Sequence, residues 1–143
     1  AIIHQESSFK AKAKPPRKKI LWIIPGRRPA SAKGYAQAID GTWNMYKKAT
    51  GRWTADRNKF KDAVDFIGWY IDQSNKRNNI AKDDTYNLYL AYHEGQGGFA
   101  QASYRKKQWL INVAKKVAGR SSRYSNQLAS CEKRYKKRFF GLF

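Results

Sequence analysis

The chain has 143 residues, enough for one hydrophobic core and short for two, so we expect a single domain over residues 1–143. Its 30 Lys and Arg against 10 Asp and Glu give a formal net charge of +20, which favours polyanions as partners. One cysteine and two histidines exclude an intrachain disulfide and a cysteine-rich zinc site, and they predict no metal and no cofactor.

The first predicted element is a short helix. The chain opens directly in Ala1-Ile2-Ile3-His4-Gln5-Glu6, which is typical of the middle of a helix, so we expect an excised domain or a processed product. The spacing i, i+3, i+4, i+7 defines one face of this helix, made of Ile2, Gln5, Glu6 and Phe9.

A long basic loop is expected next. The segment from Lys10 to Lys33 contains all four prolines and the short apolar run Ile20–Ile24, which could form a strand. Asp40-Gly41-Thr42 is typical of a helix start with Thr42 as the cap, and this helix should end near Gly51.

The strongest helical pattern lies between Asp56 and Asn75, and it predicts a core helix. Gly68 within it indicates close packing by another backbone. The predicted core stripe consists of Phe60, Ala63, Val64, Ile67 and Ile71.

Asp83-Asp84-Thr85 can cap a further helix, which runs through Leu88 and Tyr92 to the glycine-rich segment 94–98. A last helical pair begins near Lys106 and should pause at 119–122. Its second half places Tyr124, Leu128, Cys131 and Tyr135 in register, which favours a buried thiol. These elements predict a compact all-α fold with a basic-aromatic tail at 132–143. No apolar run approaches the roughly 18 residues of a membrane span, so we expect no transmembrane segment.

Three segments carry the pattern that suggests chemistry: Glu6-Ser7-Ser8-Phe9, Gly34-Tyr35-Ala36-Gln37 and Ala91-Tyr92-His93-Glu94-Gly95. In this order they resemble the soluble lytic transglycosylase and goose-type lysozyme family, a glycoside hydrolase family 23-like group. The segment 65–70 is similar to the core helix of that family. The resemblance therefore covers most of the chain and implies a lysozyme-like helical domain.

The resemblance implies that Glu6 is the catalytic acid, that Gln37 lines the glycan groove and that the hydroxyl of Tyr92 supports the acid. Independently, a carboxylate on an apolar helix face is costly to ionise, so its pKa should rise toward that of a general acid. A Glu at the edge of an amphipathic helix is otherwise most often solvent-exposed or ion-paired. The remaining substrate contacts that we expect are Ser7, Ser8, Tyr35, His93 and Glu94.

One departure from the family concerns His93, which replaces the usual Asn, and Glu94, which adds a second carboxylate. Glu94 could activate a water opposite Glu6, or it could brace neighbouring backbone. The serines could likewise hold the sugar or only cap the helix end. Further acidic residues, without any sequence feature that favours catalysis, are Asp40, Asp62, Asp65 and Asp72.

The implied reaction is cleavage of the β-1,4 bond between N-acetylmuramic acid and N-acetylglucosamine, with the muramic C6 hydroxyl attacking to close a 1,6-anhydro ring. A hydrolytic muramidase on the same fold is the first alternative, and a basic nucleic-acid-binding module is the second. Neither a specific nucleic-acid motif nor a targeting segment is visible. We expect the enzyme to act in the bacterial cell envelope, or to be secreted or delivered by phage to the wall.

The expected partners are peptidoglycan glycan strands, with anionic cell-wall polymers or lipopolysaccharide attracted by the basic loop and tail. These two segments carry much of the excess charge, on Lys10, Lys12, Lys14, Arg17, Lys18 and Lys19 and on Lys133, Arg134, Lys136, Lys137 and Arg138. Flat sugar-stacking walls are expected among Tyr35, Trp43, Trp69 and Phe99.

Overall fold

The computed structural model describes residues 1–14 and 31–140, with side chains up to residue 133. Within these residues the fold is mainly helical and its only bridge between extended residues joins Lys33 to Ala38, so the all-α prediction is confirmed. The helices are α1 Ile2–Ser7, α2 Asp40–Thr50, α3 Phe60–Asn78, α4 Thr85–Ala100 and α5 Gln108–Phe140, with a 3-10 helix at Ser103–Lys106. The expected strand at Ile20–Ile24 and most of the basic loop lie outside the described residues.

The chain forms two compact units: an N-terminal unit, Ile2–Asn79, and a C-terminal unit made of Ala1 and the residues from Ile80 onward. The N-terminal unit contains α1, α2 and α3, and the C-terminal unit contains α4, the 3-10 helix and α5. None of the described helices combines the length and the apolar character needed to cross a membrane.

Aromatic rings from α2 and α3 form the core of the N-terminal unit. Trp43 lies with its ring centroid 5.1 Å from those of both Tyr46 and Phe66, and all three side chains are buried. The Tyr46 hydroxyl donates to Asp65 over 2.6 Å, so the buried phenol keeps a hydrogen-bond partner. Burial first, and then this carboxylate, raise the pKa of Tyr46.

The structure corrects the predicted core stripe of α3. The helix begins at Phe60 rather than Asp56, and Phe60 and Val64 are about half exposed, at 48% and 47%. Ala63 is buried as predicted, and the other buried residues of α3 are Phe66, Tyr70 and Ser74. The aromatic residues of α3 recur with the same helical period as the aliphatic ones. The aromatic side chains are larger, and they fill the space between α3 and α2.

Two further predictions for these helices are wrong. A Cβ atom on Gly68 would meet no described atom within 4 Å, so none of the backbone that the structure describes packs closely there. The N-cap of α2 is Ile39 and the helix begins at Asp40, so Thr42 lies inside the helix. A helix can begin without a side-chain cap where a first-turn carboxylate such as that of Asp40 interacts favourably with the helix dipole.

In the C-terminal unit, Asp84 caps α4 as predicted, because its carboxylate accepts a hydrogen bond from the backbone N–H of Asn87 over 3.0 Å. The core on α5 is a stripe of Leu110, Ala114 and Val117, each fully buried. Their i, i+4, i+7 spacing is that of one helix face.

The predicted pause at 119–122 is absent, since α5 is continuous from Gln108 to Phe140. Gly119 and Ser122 are exposed helix positions, where such residues lower stability only modestly, by about 1 kcal/mol for Gly. Leu128 is 51% exposed and Cys131 is half-buried, so the expected burial of these two residues is wrong, and the side chain of Tyr135 lies outside the described residues. Helical spacing alone does not bury a helix face.

Candidate functional site

Glu6 lies one residue before the end of α1 and is half-buried. The predicted pairing of Glu6 with Ile2 on one helix face agrees with the structure, because Ile2 lies one turn earlier and is 7% exposed. Phe9 does not continue that face. The helix ends at Ser7, and both Ser8 and Phe9 adopt left-handed backbone conformations, with φ of 50° and 62°.

The two serines after Glu6 have different environments. Ser7 is 6% exposed and its hydroxyl donates to the carbonyl of Ile3 over 3.0 Å, which is helix-end hydrogen bonding. Ser8 is exposed, and its backbone N–H donates to the carbonyl of His4 over 2.9 Å. Of the two hydroxyls, that of Ser8 is the one presented to solvent.

Gln37 sits in a tight turn whose backbone requires positive φ at Gly34 (78°) and at Gln37 itself (50°). Its side-chain nitrogen donates to the carbonyl of Ala13 over 2.9 Å and to that of Gly34 over 2.8 Å. Both N–H groups of the amide are therefore used within the protein. The oxygen Oε1 is the part of this side chain that remains suited to a substrate hydroxyl or acetamido N–H.

Arg57 holds the same turn in place, a role that no sequence pattern indicated. Its guanidinium is largely buried and donates to the carbonyl of Ser31 over 3.0 Å, to that of Ala38 over 2.8 Å and to the carboxylate of Asp40. Its backbone carbonyl accepts from the N–H of Tyr35 over 3.1 Å. One arginine thus fixes both ends of the turn that carries Gln37, and its hydrogen bond lowers the pKa of the Asp40 carboxyl.

Four rings of the N-terminal unit form what we call the surface aromatic cluster: His4, Phe9, Tyr35 and Phe60. Their centroids are 5.2 Å apart for His4 and Phe9, 6.3 Å for Phe9 and Phe60, and 5.4 Å for Tyr35 and Phe60. Phe9 and Phe60 are 47% and 48% exposed. The sequence indicated Tyr35 as a sugar wall but missed both phenylalanines, since a phenylalanine in a helical pattern is usually core.

The other predicted stacking residues are packed against protein. Trp43 is only 3% exposed, and Trp69 contacts the core rings of Tyr46 and Phe66 at centroid distances of 5.7 Å and 5.9 Å. In the C-terminal unit, Phe99 stacks on Tyr104 with centroids 5.3 Å apart and planes tilted by 23°. Trp43 is therefore a core residue, whereas Phe9 and Phe60 of the surface aromatic cluster are about half exposed.

The third motif lies on α4, which bends at Gly95 because this glycine has the non-helical dihedrals φ 77° and ψ 163°. Tyr92 and His93, just before the bend, are half-buried. The His93 ring lies edge-on to Trp109, with centroids 5.2 Å apart. Burial lowers the pKa of His93, against an opposing effect of Glu94.

The carboxylate of Glu94 has three hydrogen-bonding partners, Lys107, Ser103 and His93. Its side chain is 4% exposed, and Lys107 donates to both carboxylate oxygens, over 2.8 Å and 2.9 Å. The Ser103 hydroxyl donates to one oxygen, and His93 Nδ1 lies 3.1 Å from the other. Burial would raise the pKa of Glu94, but the hydrogen bonds from Lys107, Ser103 and His93 together lower it.

These contacts match those of a structural brace. Glu94 lies in α4 next to its bend, Ser103 lies in the 3-10 helix and Lys107 directly precedes α5, so one carboxylate connects α4 to the two segments that follow it. A Cβ on Gly98 would lie 3.1 Å from both Glu94 Cβ and Ser103 Oγ, so Gly98 leaves room for the brace. At Gly95 and Gly97 a Cβ would meet nothing within 4 Å, so the close approach expected for the glycine-rich segment is limited to Gly98.

Within the part of the chain that the structure describes, no group of three or more His, Cys, Asp or Glu side chains is placed to hold a metal ion.

Residues 1–131 match the sequence family of the transglycosylase SLT domain. The chain belongs to this family. The matched range includes all three motif segments. Membership of this family identifies the chain as a peptidoglycan-cleaving enzyme. A search of curated proteins and a search of solved structures each returned no match.

Proposed function

We propose that this SLT domain is a lytic transglycosylase that cleaves the β-1,4 bond between N-acetylmuramic acid and N-acetylglucosamine. Glu6 donates its proton to the glycosidic oxygen as the bond to the muramic C1 breaks. The muramic C6 hydroxyl then attacks C1, and its proton passes to the Glu6 carboxylate. The products are a 1,6-anhydromuramic end and a free N-acetylglucosamine hydroxyl, and no water is consumed.

The observation that carries this choice is the engagement of Glu94. An inverting hydrolase needs a second carboxylate that can activate water, and a retaining one needs a carboxylate nucleophile. Glu94 is buried, and both of its oxygens accept hydrogen bonds from Lys107, so it is poorly placed for either task. Mechanisms that use one carboxylate and an internal substrate hydroxyl avoid this need.

The aspartates that the sequence left open also have cationic partners. The pairs are Asp40 with Arg57, Asp62 and Asp65 with Arg52, and Asp72 with Lys76. A hydrogen bond from the backbone N–H of Asp56 lowers the pKa of Asp62, despite an opposing effect of burial. The pKa values of Asp40 and Asp62 are both lowered, which is opposite to the shift expected of a general acid near neutral pH.

Under this proposal, Gln37 contacts the glycan through Oε1, since its amide nitrogen is bonded to two backbone carbonyls. Ser8 is the better of the two serines for a sugar contact, because the hydroxyl of Ser7 is buried and bonded to Ile3. Tyr92 supports the acid and His93 contacts substrate, and both of these roles rest on the family motif. Tyr35 contributes a ring to the surface aromatic cluster.

A hydrolytic muramidase remains the second candidate, and product mass separates the two. Digestion of purified sacculi in H₂¹⁸O by a transglycosylase yields anhydro ends that are one water lighter than reducing ends and carry no ¹⁸O. Reducing ends labelled with ¹⁸O would establish the hydrolase instead.

Glu6→Gln tests the catalyst in the same assay. We expect a loss of at least about 10²-fold in turnover, the usual contribution of general acid–base catalysis. Asp83→Asn, which alters an exposed carboxylate, is the matched control and should keep wild-type turnover. Wild-type rates from Glu6→Gln would overturn the proposal.

The net charge of +20 favours attraction to the anionic wall and to lipopolysaccharide, and Lys10, Lys12 and Lys14 are exposed at the start of the basic loop. We propose that the enzyme works in the bacterial cell envelope or is secreted or phage-delivered to the wall. A nucleic-acid-binding module would instead bind DNA with a steep salt dependence and would not cleave sacculi.

A further inference from the structure

The surface aromatic cluster leaves flat apolar surface exposed, outside the core of the N-terminal unit. Phe9 and Phe60 are each about half exposed, while the core of the same unit is already filled by the rings of Trp43, Tyr46 and Phe66. The two exposed rings contact each other, and each also contacts a ring with a polar edge. Such a group has the amphipathic character of a ligand platform.

The backbone that presents Phe9 supports the same reading. Ser8 and Phe9 are consecutive non-glycine residues in the left-handed region, and a bulky residue there is unusual. The turn is nevertheless held by two hydrogen bonds, from Ser8 N–H to His4 and from Lys10 N–H to Ser7. Strain of this kind persists where surrounding structure enforces it, and it concentrates at functional sites.

The chemistry of the cluster selects the ligand class. The four residues of the cluster include no Lys or Arg, so the cluster itself offers little to a polyanion. They include no Asp or Glu either. The exposed surface of two half-exposed phenylalanine side chains is also far smaller than the roughly 800 Å² that each partner buries in a standard protein interface. A pyranose ring presents an apolar C–H face with hydroxyls at its rim, which matches flat rings flanked by the polar edges of His4 and Tyr35.

The position of the cluster in the chain connects it with the candidate site. Phe9 follows Glu6 by three residues and Tyr35 precedes Gln37 by two. Both therefore belong to the segments that carry the proposed acid and the groove glutamine.

We propose that the surface aromatic cluster is a stacking platform for an N-acetylhexosamine ring of the glycan strand. Phe9 and Phe60 provide the flat surface, and His4 and Tyr35 provide polar edges for the sugar hydroxyls. The assignment to the peptidoglycan strand rests on the proposed function, whereas the binding of an N-acetylhexosamine does not depend on cleavage.

The test measures binding of a soluble β-1,4-linked N-acetylglucosamine oligomer by calorimetry, in the Glu6→Gln background so that no cleavage interferes. We expect Phe60→Ala and Phe9→Ala each to weaken binding about tenfold, because each removes one stacking surface. Phe60→Tyr should retain binding close to that of the parent. Trp53→Ala removes a ring that is 66% exposed in the same unit but outside the cluster, and it should leave affinity unchanged.

Phe60→Leu distinguishes stacking from general hydrophobic contact. It also shows whether a loss of binding comes from the missing ring or from a misfolded protein. It keeps apolar volume without a flat ring, so it should preserve the melting temperature yet weaken binding as Phe60→Ala does. Equal affinity of the Phe60→Leu variant and the parent would overturn the platform, as would unchanged affinity in the double variant of Phe9 and Phe60.

Failure of the platform and failure of the proposed function give different results. If the wild-type protein released no anhydro ends from sacculi while the phenylalanine variants still bound the oligomer more weakly, the platform would stand without the transglycosylase reaction. If anhydro ends formed and the oligomer bound equally to all variants, the reaction would stand and the platform would be rejected.

Discussion

The carbonyl oxygen of Arg57 lies 2.2 Å from the position that a Cβ atom on Gly34 would occupy. Gly34 also has a φ of 78°, which L-residues with side chains rarely adopt. Two independent constraints therefore require glycine at the start of the turn that carries Gln37, and the close approach allows Arg57 to accept the N–H of Tyr35.

Gly34→Ala should lower the free energy of unfolding by at least about 2 kcal/mol, because a backbone clash is added to an unfavourable φ. Turnover of sacculi should fall with it, since the turn positions Gln37. Gly68→Ala is the matched control: its Cβ would meet nothing within 4 Å and it lies inside α3, so it should stabilise the protein by about 0.5–1 kcal/mol. Denaturant unfolding measures both, and similar effects of the two substitutions would contradict this account.

Arg57→Lys should lower turnover and destabilise the N-terminal unit by about 2 kcal/mol, even though the charge is kept. A single ammonium cannot reproduce the planar fork that reaches Ser31, Ala38 and Asp40 together. Arg52→Lys is the control, because the Arg52 side chain is 38% exposed and ion pairs of exposed groups contribute little to stability. Unfolding curves and kcat/KM on sacculi check this, and equal losses from the two substitutions would refute it.

Glu94→Gln should destabilise the C-terminal unit by about 2–4 kcal/mol at pH 7, because it leaves Lys107 without its buried carboxylate. The pKa of Glu94 is lowered in the folded protein from its ordinary value of 4.5, so the stabilisation is present above that pH. It is lost as the pH falls through the lower folded pKa.

The difference in melting temperature between wild-type protein and the Glu94→Gln variant should therefore be large at pH 7 and shrink below about pH 4.5. Asp83→Asn, which alters an exposed side chain, serves as the control and should show little difference at either pH. A gap for Glu94→Gln that stayed constant into acid would show that the ion pair with Lys107 is not its source.

Two leucines of α5 should respond very differently to truncation. Leu110→Ala removes a fully buried side chain and should cost about 2–5 kcal/mol, whereas Leu128→Ala removes one that is 51% exposed and should cost about 0.5 kcal/mol or less. Thermal unfolding checks the pair. A large loss from Leu128→Ala would mean that this part of α5 is covered in solution.

Much of the helical architecture could be read from the sequence because it depends on local rules. Asp84 caps α4 through a contact three residues away, and Leu110, Ala114 and Val117 mark one helix face by spacing alone. The sequence could not show which face of α3 is buried, since aromatic and aliphatic residues form two stripes with the same helical period. The larger rings took the core, and Val64 was left exposed.

The candidate site divides in a similar way. The order and spacing of the motifs indicate the family, and from the sequence alone they point to Glu6, Gln37 and Tyr92 as site residues. The orientation of Gln37, with its amide nitrogen bonded to Ala13 and Gly34, depends on a contact across 24 residues of chain that no local pattern encodes. The role of Arg57 is hidden for the same reason, in a chain with 30 basic residues.

The sequence by itself determined the family, the helical fold class and the residue proposed as catalyst, because these follow from motif order and helical periodicity. Only the tertiary structure decided that Glu94 is a buried brace and that Phe9 and Phe60 are exposed rings. Burial, ion pairing and exposure are properties of what packs around a side chain, and residues distant in sequence supply that environment.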